Sequence, residues 1–147
     1  MTGEATTVIN PDPDHSHPDP IGQPLRHRVL VVDDNTDLAR LTSYYLTRHG
    51  YQVATARSGP EAIEAARFFL PRVVLLDIGL PGMDGFQVAE VMREMAETKD
   101  ATIIAISAHD PQSNPNRSLR ARFDHQLVKP VDFKDLLALL APTDSLM

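Results

Sequence analysis

Five short apolar runs recur along the chain, and longer stretches with helical spacing lie between them. Val29-Leu30-Val31-Val32 is the first run and ends in two acids. From Asp37 to Arg48, Leu38, Leu41, Tyr44 and Tyr45 recur at helical intervals, and His49-Gly50 marks a stop. Gln52-Val53-Ala54-Thr55-Ala56 reads as a second strand. Ser58 to Phe69 reads as a helix, with Ser58 as its cap, Glu61 as the reciprocal capping partner and Pro60 in the first turn. Pro71 ends it. Val73-Val74-Leu75-Leu76 contains no polar residue, which predicts a strand buried on both faces. The loop Gly79-Leu80-Pro81-Gly82-Met83-Asp84-Gly85 leads into a helix from Phe86 to Glu97, whose apolar side is Phe86, Val88, Ala89, Met92 and Met95. Thr102-Ile103-Ile104-Ala105-Ile106 is the fourth strand, Gln126-Leu127-Val128 a short fifth, and Phe133 to Leu140 the last helix.

Strands alternating with helices predict an α/β fold, a doubly wound five-stranded parallel sheet with helices on both faces. One slot departs from the pattern. Pro111, Asn114, Pro115 and Asn116 stand where a first turn should form, so the fourth helix is expected to be short or irregular, near Asn116 to Ala121. Residues 1–24 are expected to be a disordered acidic tail, because Pro11, Pro13, Pro18 and Pro20 remove backbone donors and no apolar period is present. The folded domain is placed at 27–141 and a short C-terminal tail at 142–147.

Composition narrows the functional classes. The chain has no cysteine, which removes disulfides, thiolate chemistry and thiolate metal sites and fits a cytoplasmic location. No basic-then-apolar N-terminus and no apolar run of 18 residues occurs, so neither a signal peptide nor a membrane span is expected. Net charge is -6. Residues 1–24 carry four acids and no Lys or Arg, and the remainder has 14 basic and 16 acidic residues. A body so balanced is not expected to bind nucleic acid directly. His15 and His17 in the tail are a weak metal signal, and no phosphate-cradling Gly-x-x-x-x-Gly-Lys loop occurs.

In open parallel sheets, ligands bind beyond the carboxyl ends of the strands. The first polar residues there are Asp33 and Asp34 after strand one, Asp77 after strand three, Ser107 after strand four and Lys129 after strand five. Three carboxylates, a hydroxyl and an ammonium thus converge on one edge. Clustered carboxylates repel each other, and one lysine satisfies only one of them. A hard divalent cation relieves the remainder, and ligands that are all oxygen favour Mg²⁺. The set suits in-line phosphoryl transfer onto Asp77, where catalysis is mostly positioning and charge neutralisation.

Over residues 27–141 the sequence closely resembles the receiver domains of two-component response regulators. The matching segments are Val29 to Asn35, Val73 to Gly85, Ser107-Ala108 and Val128-Lys129-Pro130. They occur in order, with 43 positions from Asp34 to Asp77, 30 more to Ser107 and 22 more to Lys129. The resemblance implies a flavodoxin-like strand order of 2-1-3-4-5. It implies Asp77 as phosphoacceptor, fed by the phosphohistidine of a histidine kinase or phosphotransfer protein. Asp34, Asp77 and the Gly79 carbonyl would hold Mg²⁺, with Asp33 acting through water. Lys129 would pair with a phosphoryl oxygen, Ser107 would swing toward the phosphate, and the Lys129–Pro130 bond would be cis.

Two positions depart from the family. Gln126 stands where an aromatic or His usually partners the hydroxyl switch, and an amide cannot exchange apolar environments as a ring does. Arg122 stands where glycine is common; a left-handed backbone there would cost an arginine roughly 1 kcal/mol. An intact phosphorylation site with an altered output surface is therefore expected, signalling to an unknown protein target. The site would look the same in a stand-alone receiver and in the receiver of a hybrid kinase. A phosphorylation-independent binding module and a small phosphatase are the competing classes. Met83 and Phe86 are expected to pack, His109 and His125 to lie at the surface, and Leu136, Leu137, Leu139 and Leu140 to pack the last helix on the sheet.

Overall fold

The computed structural model describes residues 27–108 and 121–145. The expected tail at 1–24, His109, Pro111 and Pro115 lie outside these residues. So does the expected fourth helix, except for Ala121, which is helical and fully buried.

Five strands form one sheet. They are β1 (Arg28–Val32), β2 (Gln52–Ala56), β3 (Val73–Asp77), β4 (Thr102–Ser107) and β5 (His125–Val128). All pairings are parallel and the spatial order is β2-β1-β3-β4-β5, as the resemblance implies. Register follows the hydrophobic runs: Val29 faces Val53 and Val73, and Leu76 faces Val32 and Ala105. Every residue of β3 is buried, the consequence of an unbroken apolar run at the centre of a two-faced sheet.

The helices are α1 (Thr36–Arg48), α2 (Gly59–Phe69), α3 (Gly85–Glu94) and α4 (Phe133–Ser145). The period-two alternation of the strands divides the core. Leu30, Val32, Val74, Leu76 and Ile103 pack with Ala62, Ala66, Val88 and Met92 of α2 and α3. Val29, Val31, Val73, Leu75 and Ile104 pack with Ala39 and Leu46 of α1 and with Leu136 and Leu140 of α4. Fully burying a side chain such as Leu30 or Leu136 contributes roughly 2 kcal/mol. The chain moves outward to β2 after α1 and back past β1 after α2. That reversal between β1 and β3 opens the crevice where such folds bind ligands.

Helix ends differ from expectation in informative ways. Asn35 caps α1, accepting from Leu38 N–H at 3.1 Å, so the helix starts one residue early. Ser58 does accept from Glu61 N–H at 3.2 Å. Glu61 does not reciprocate to Ser58, however; its carboxylate accepts from Arg57 N–H at 2.8 Å. The reciprocal box lies instead at α3, between Asp84 and Gln87. That helix stops at Glu94, not Glu97, because Met95 turns extended and Thr98 donates its hydroxyl to the Met92 carbonyl at 2.7 Å. The break lets the chain return to β4. The last helix runs on to Ser145, past the expected Leu140.

Gly59 and Gly85 are positions of close approach. A Cβ on Gly59 would lie 2.9 Å from a Val88 methyl and 3.0 Å from Met83. At Gly85, a Cβ would collide with the Ile78 Cα and lie 2.8 Å from the Asp77 carbonyl oxygen. The absent side chain at Gly85 therefore seats α3 against the end of β3. Among the described residues, no helix is long and apolar enough to cross a membrane.

Candidate functional site

Three strand ends and the loop after β5 bring the candidate residues to one edge. Asp33 follows β1 directly, Asp77 is the last residue of β3, Ser107 the last of β4, and Lys129 follows β5. Asp33, Asp77 and Ser107 are buried, while Asp34 is exposed. Carboxylate oxygens of Asp33, Asp34 and Asp77 all lie within 4.8 Å of one another. This is the one such acidic group among the described residues.

Asp77 is held at both oxygens. Its Oδ1 accepts from Gly79 N–H at 2.8 Å, and its Oδ2 accepts from Lys129 Nζ at 3.0 Å. Lys129 stands 3.9 Å from Asp33 Oδ2, so its charge serves Asp77 first. Lys129 is itself fixed by the backbone, its N–H donating to the Ser107 carbonyl at 2.8 Å. The following Lys129–Pro130 bond is cis. Asp33 Oδ1 accepts from Asn35 N–H at 2.9 Å, which turns the chain from β1 into the cap of α1.

The electrostatics follow from burial. Desolvation raises the pKa of Asp33 above its usual value, and the charge and hydrogen bond of Asp77 push the same way. The Asn35 N–H and the Lys129 charge only partly oppose this. For Lys129, desolvation alone would lower the pKa. The hydrogen bond and charge of Asp77, reinforced by Asp33 and Asp34, outweigh it and leave the value raised. Three carboxylates beside one ammonium leave a net negative pocket, and a divalent cation fits that balance. Oxygen donors alone fit a hard ion.

A cavity of about 510 Å³ opens beside these groups, between α1 and α4. Asp33, Asp77 and Lys129 form its polar end, and Leu38, Leu41, Val131, Phe133 and Leu136 line its apolar side.

The two departures from the family fall apart in space. Gln126 is exposed on β5, opposite Ala105, with no aromatic ring in its place. Arg122 precedes β5 and so lies at the far end of the sheet from Asp77. Its φ is 55°, the left-handed conformation expected if a glycine were displaced. His125 is exposed, and Phe86 is buried against the ring of Phe123, both as expected.

Sequence reasoning missed Arg93. Its side chain is 7% exposed and donates to the carbonyls of Ala101 at 2.7 Å, Arg122 at 2.6 Å and Lys99 at 3.2 Å. It also pairs with Asp124 at 2.8 Å, whose same oxygen accepts from Ile103 N–H. One guanidinium thus ties α3, the entry to β4 and the entry to β5. Nothing in a helical pattern distinguishes Arg93 from a solvent-facing arginine. The Asp84–Gln87 box did carry a readable signal, an acid three positions before an amide.

Comparison with known proteins agrees with this geometry. A sequence model described as the response regulator receiver domain matches residues 29–141. Protein PilH of Pseudomonas aeruginosa is 37% identical over 111 residues, covering 75% of this chain and 91% of PilH. The response regulator PleD of Caulobacter vibrioides is 37% identical over 105 residues, covering 71% of this chain and 23% of PleD. The chain therefore spans nearly all of one relative and about a quarter of the other. Among solved structures, a CheY-like receiver domain protein from Methanospirillum hungatei superposes with a TM-score of 0.74 at 28% identity, covering 82% of this chain and 94% of that one. CheY4 of Vibrio cholerae gives 0.75 at 27% identity, covering 80% and 98%. With its sheet order, acidic cluster and matched span in agreement, the chain belongs to the response regulator receiver domain family.

Proposed function

We propose that the chain accepts a phosphoryl group on Asp77 from the phosphohistidine of a histidine kinase or phosphotransfer protein, and signals through protein contacts. The observation that carries this is the acidic cluster, three carboxylates within 4.8 Å of each other with a lysine bonded to one of them. Gly79 N–H and Lys129 Nζ fix the Asp77 side chain between them. An Asp77 oxygen attacks phosphorus, the P–N bond to the donor imidazole breaks, and the ring nitrogen leaves with the electron pair. Lys129 then neutralises charge on the phosphoryl oxygens, and the buried Ser107 hydroxyl is the group we assign to bond one of them. Asp33, Asp34, Asp77 and the Gly79 carbonyl are the groups we assign to Mg²⁺, which when bound supplies the charge neutralisation that phosphoryl transfer needs. Hydrolysis reverses the acceptor step: water attacks phosphorus and the Asp77 carboxylate is regenerated. Self-phosphorylation from a small phosphodonor and self-dephosphorylation belong to the same chemistry.

Incubation with acetyl phosphate and Mg²⁺ followed by intact mass tests the reading. The expected result is one added phosphoryl group, absent in Asp77→Asn. No addition to the unsubstituted chain would leave a phosphorylation-independent binding module as the better account, and an addition that survives Asp77→Asn would overturn Asp77 as the acceptor.

A further inference from the structure

At the end of the sheet opposite Asp77 lies a patch that the phosphoryl chemistry does not use. Phe68 is 78% exposed and Leu70 44% exposed, adjacent at the end of α2. Leu70 has φ 53°, a left-handed helix cap where glycine would be at home. The chain thus bears strain and apolar exposure together, and nothing among the described residues covers them. Three arginines lie on or next to the segments that form the patch. Arg28 donates to the Leu70 carbonyl at 3.5 Å and lies over the Phe69 ring at 5.9 Å. Arg72 is joined to Arg28 through the backbone, N–H to carbonyl at 2.9 Å, and Arg67 precedes Phe68. Arg28, Arg67 and Arg72 are exposed, and among the described residues none forms an ion pair. Glu64 stands one turn back on α2, and Asp100 lies two residues before Thr102, whose N–H donates to the Arg72 carbonyl; two acids against three arginines leave the patch net positive.

We infer that this edge is covered by the chain's own N-terminal segment, residues 12–25. The segment joins the body at Arg28, inside the patch. It carries Asp12, Asp14 and Asp19 for the arginines, and Ile21 and Leu25 for Phe68 and Leu70. Asp19 stands nine positions before Arg28, a reach of up to about 30 Å, while Arg28 itself touches Leu70. Tethering raises the local concentration to about the millimolar range, so individually weak contacts suffice. Covering the patch also keeps it from pairing with a second copy.

The absence of cysteine permits a clean test in the full chain. A nitroxide is attached to Ser16→Cys and amide broadening is read by NMR. Gln52 is the reference, because it pairs with Arg28 on the opposite side from Leu70. The expected result is broadening at Phe68 and Leu70 about threefold stronger than at Gln52, falling by about half or more at ~0.5 M salt. Asp12→Asn/Asp14→Asn/Asp19→Asn, which leaves the core untouched, should equalise the two sides, as should Phe68→Ser. Equal broadening in the unsubstituted chain overturns the inference. So does broadening carried by the nitroxide of one copy to the amides of another in a mixed sample, which would assign the patch to a second copy of the chain.

Discussion

Asp33 shows most directly how burial sets the behaviour of a single side chain in this protein. Its folded pKa is raised, so folding favours the protonated form. Stability is therefore lost as pH rises from the ordinary value toward the raised one, and the full cost persists above it. Asp33→Asn removes that charge while its amide oxygen can still accept from Asn35 N–H. Without metal at neutral pH, the variant should be more stable by about 1 kcal/mol in urea unfolding, and it should bind Mg²⁺ more weakly. Arg122 offers a second single-residue test. Left-handed strain is relieved in Arg122→Gly, though glycine's extra freedom in the unfolded chain offsets part of the gain. A net rise of about 0.5 kcal/mol is expected, with the phosphoryl uptake of Asp77 unchanged.

Between elements, Arg93 joins parts far apart in sequence. Replacing it by Met leaves the Lys99, Ala101 and Arg122 carbonyls and the half-exposed Asp124 carboxylate without their donor. A loss of about 2–3 kcal/mol is expected, discounted for the exposure of Asp124. Hydrogen exchange should rise at Ile103 and at the entry to β5 before it rises in β1. A uniform increase would show that Arg93 acts on global stability alone. The strands were readable because burial on two faces demands unbroken apolar runs, as Val73 to Leu76 illustrates. The acids at their ends were readable because topology, not local propensity, converts strand order into a shared edge. Arg93 was not readable, since three of its partners are carbonyls, which leave no mark in a sequence, and the fourth, Asp124, lies 31 positions away. The early stop of α3 was missed for a similar reason: Thr98 satisfies a backbone group, a choice set by the path to β4.

For the molecule as a whole, the sheet's two ends carry opposite charge. Asp33, Asp34 and Asp77 lie at one, and Arg28 and Arg72 at the other. Cation binding at the acidic end acts only on the folded state, so it should raise stability with the logarithm of Mg²⁺ concentration. About 2.7 kcal/mol is expected at a hundredfold excess over Kd. A melting temperature that does not respond to Mg²⁺, or responds equally in Asp34→Ala, would count against the cluster as the cation site. The relatives embed this unit in chains of very different length, from PilH, almost entirely receiver, to PleD, of which the match spans 23%.

The seating of Gly85 gives the domain a mechanical polarity. Behind Asp77 there is no slack: even a methyl on Gly85 would press on the Asp77 carbonyl and on Ile78. On the proposed function, a phosphoryl group added to the Asp77 carboxylate would meet a strand end whose backbone has no room to settle toward α3. Any adjustment would then fall to the Ser107 end of β4 and the Lys129 loop, with the close seating of α3 on β3 as the fixed support.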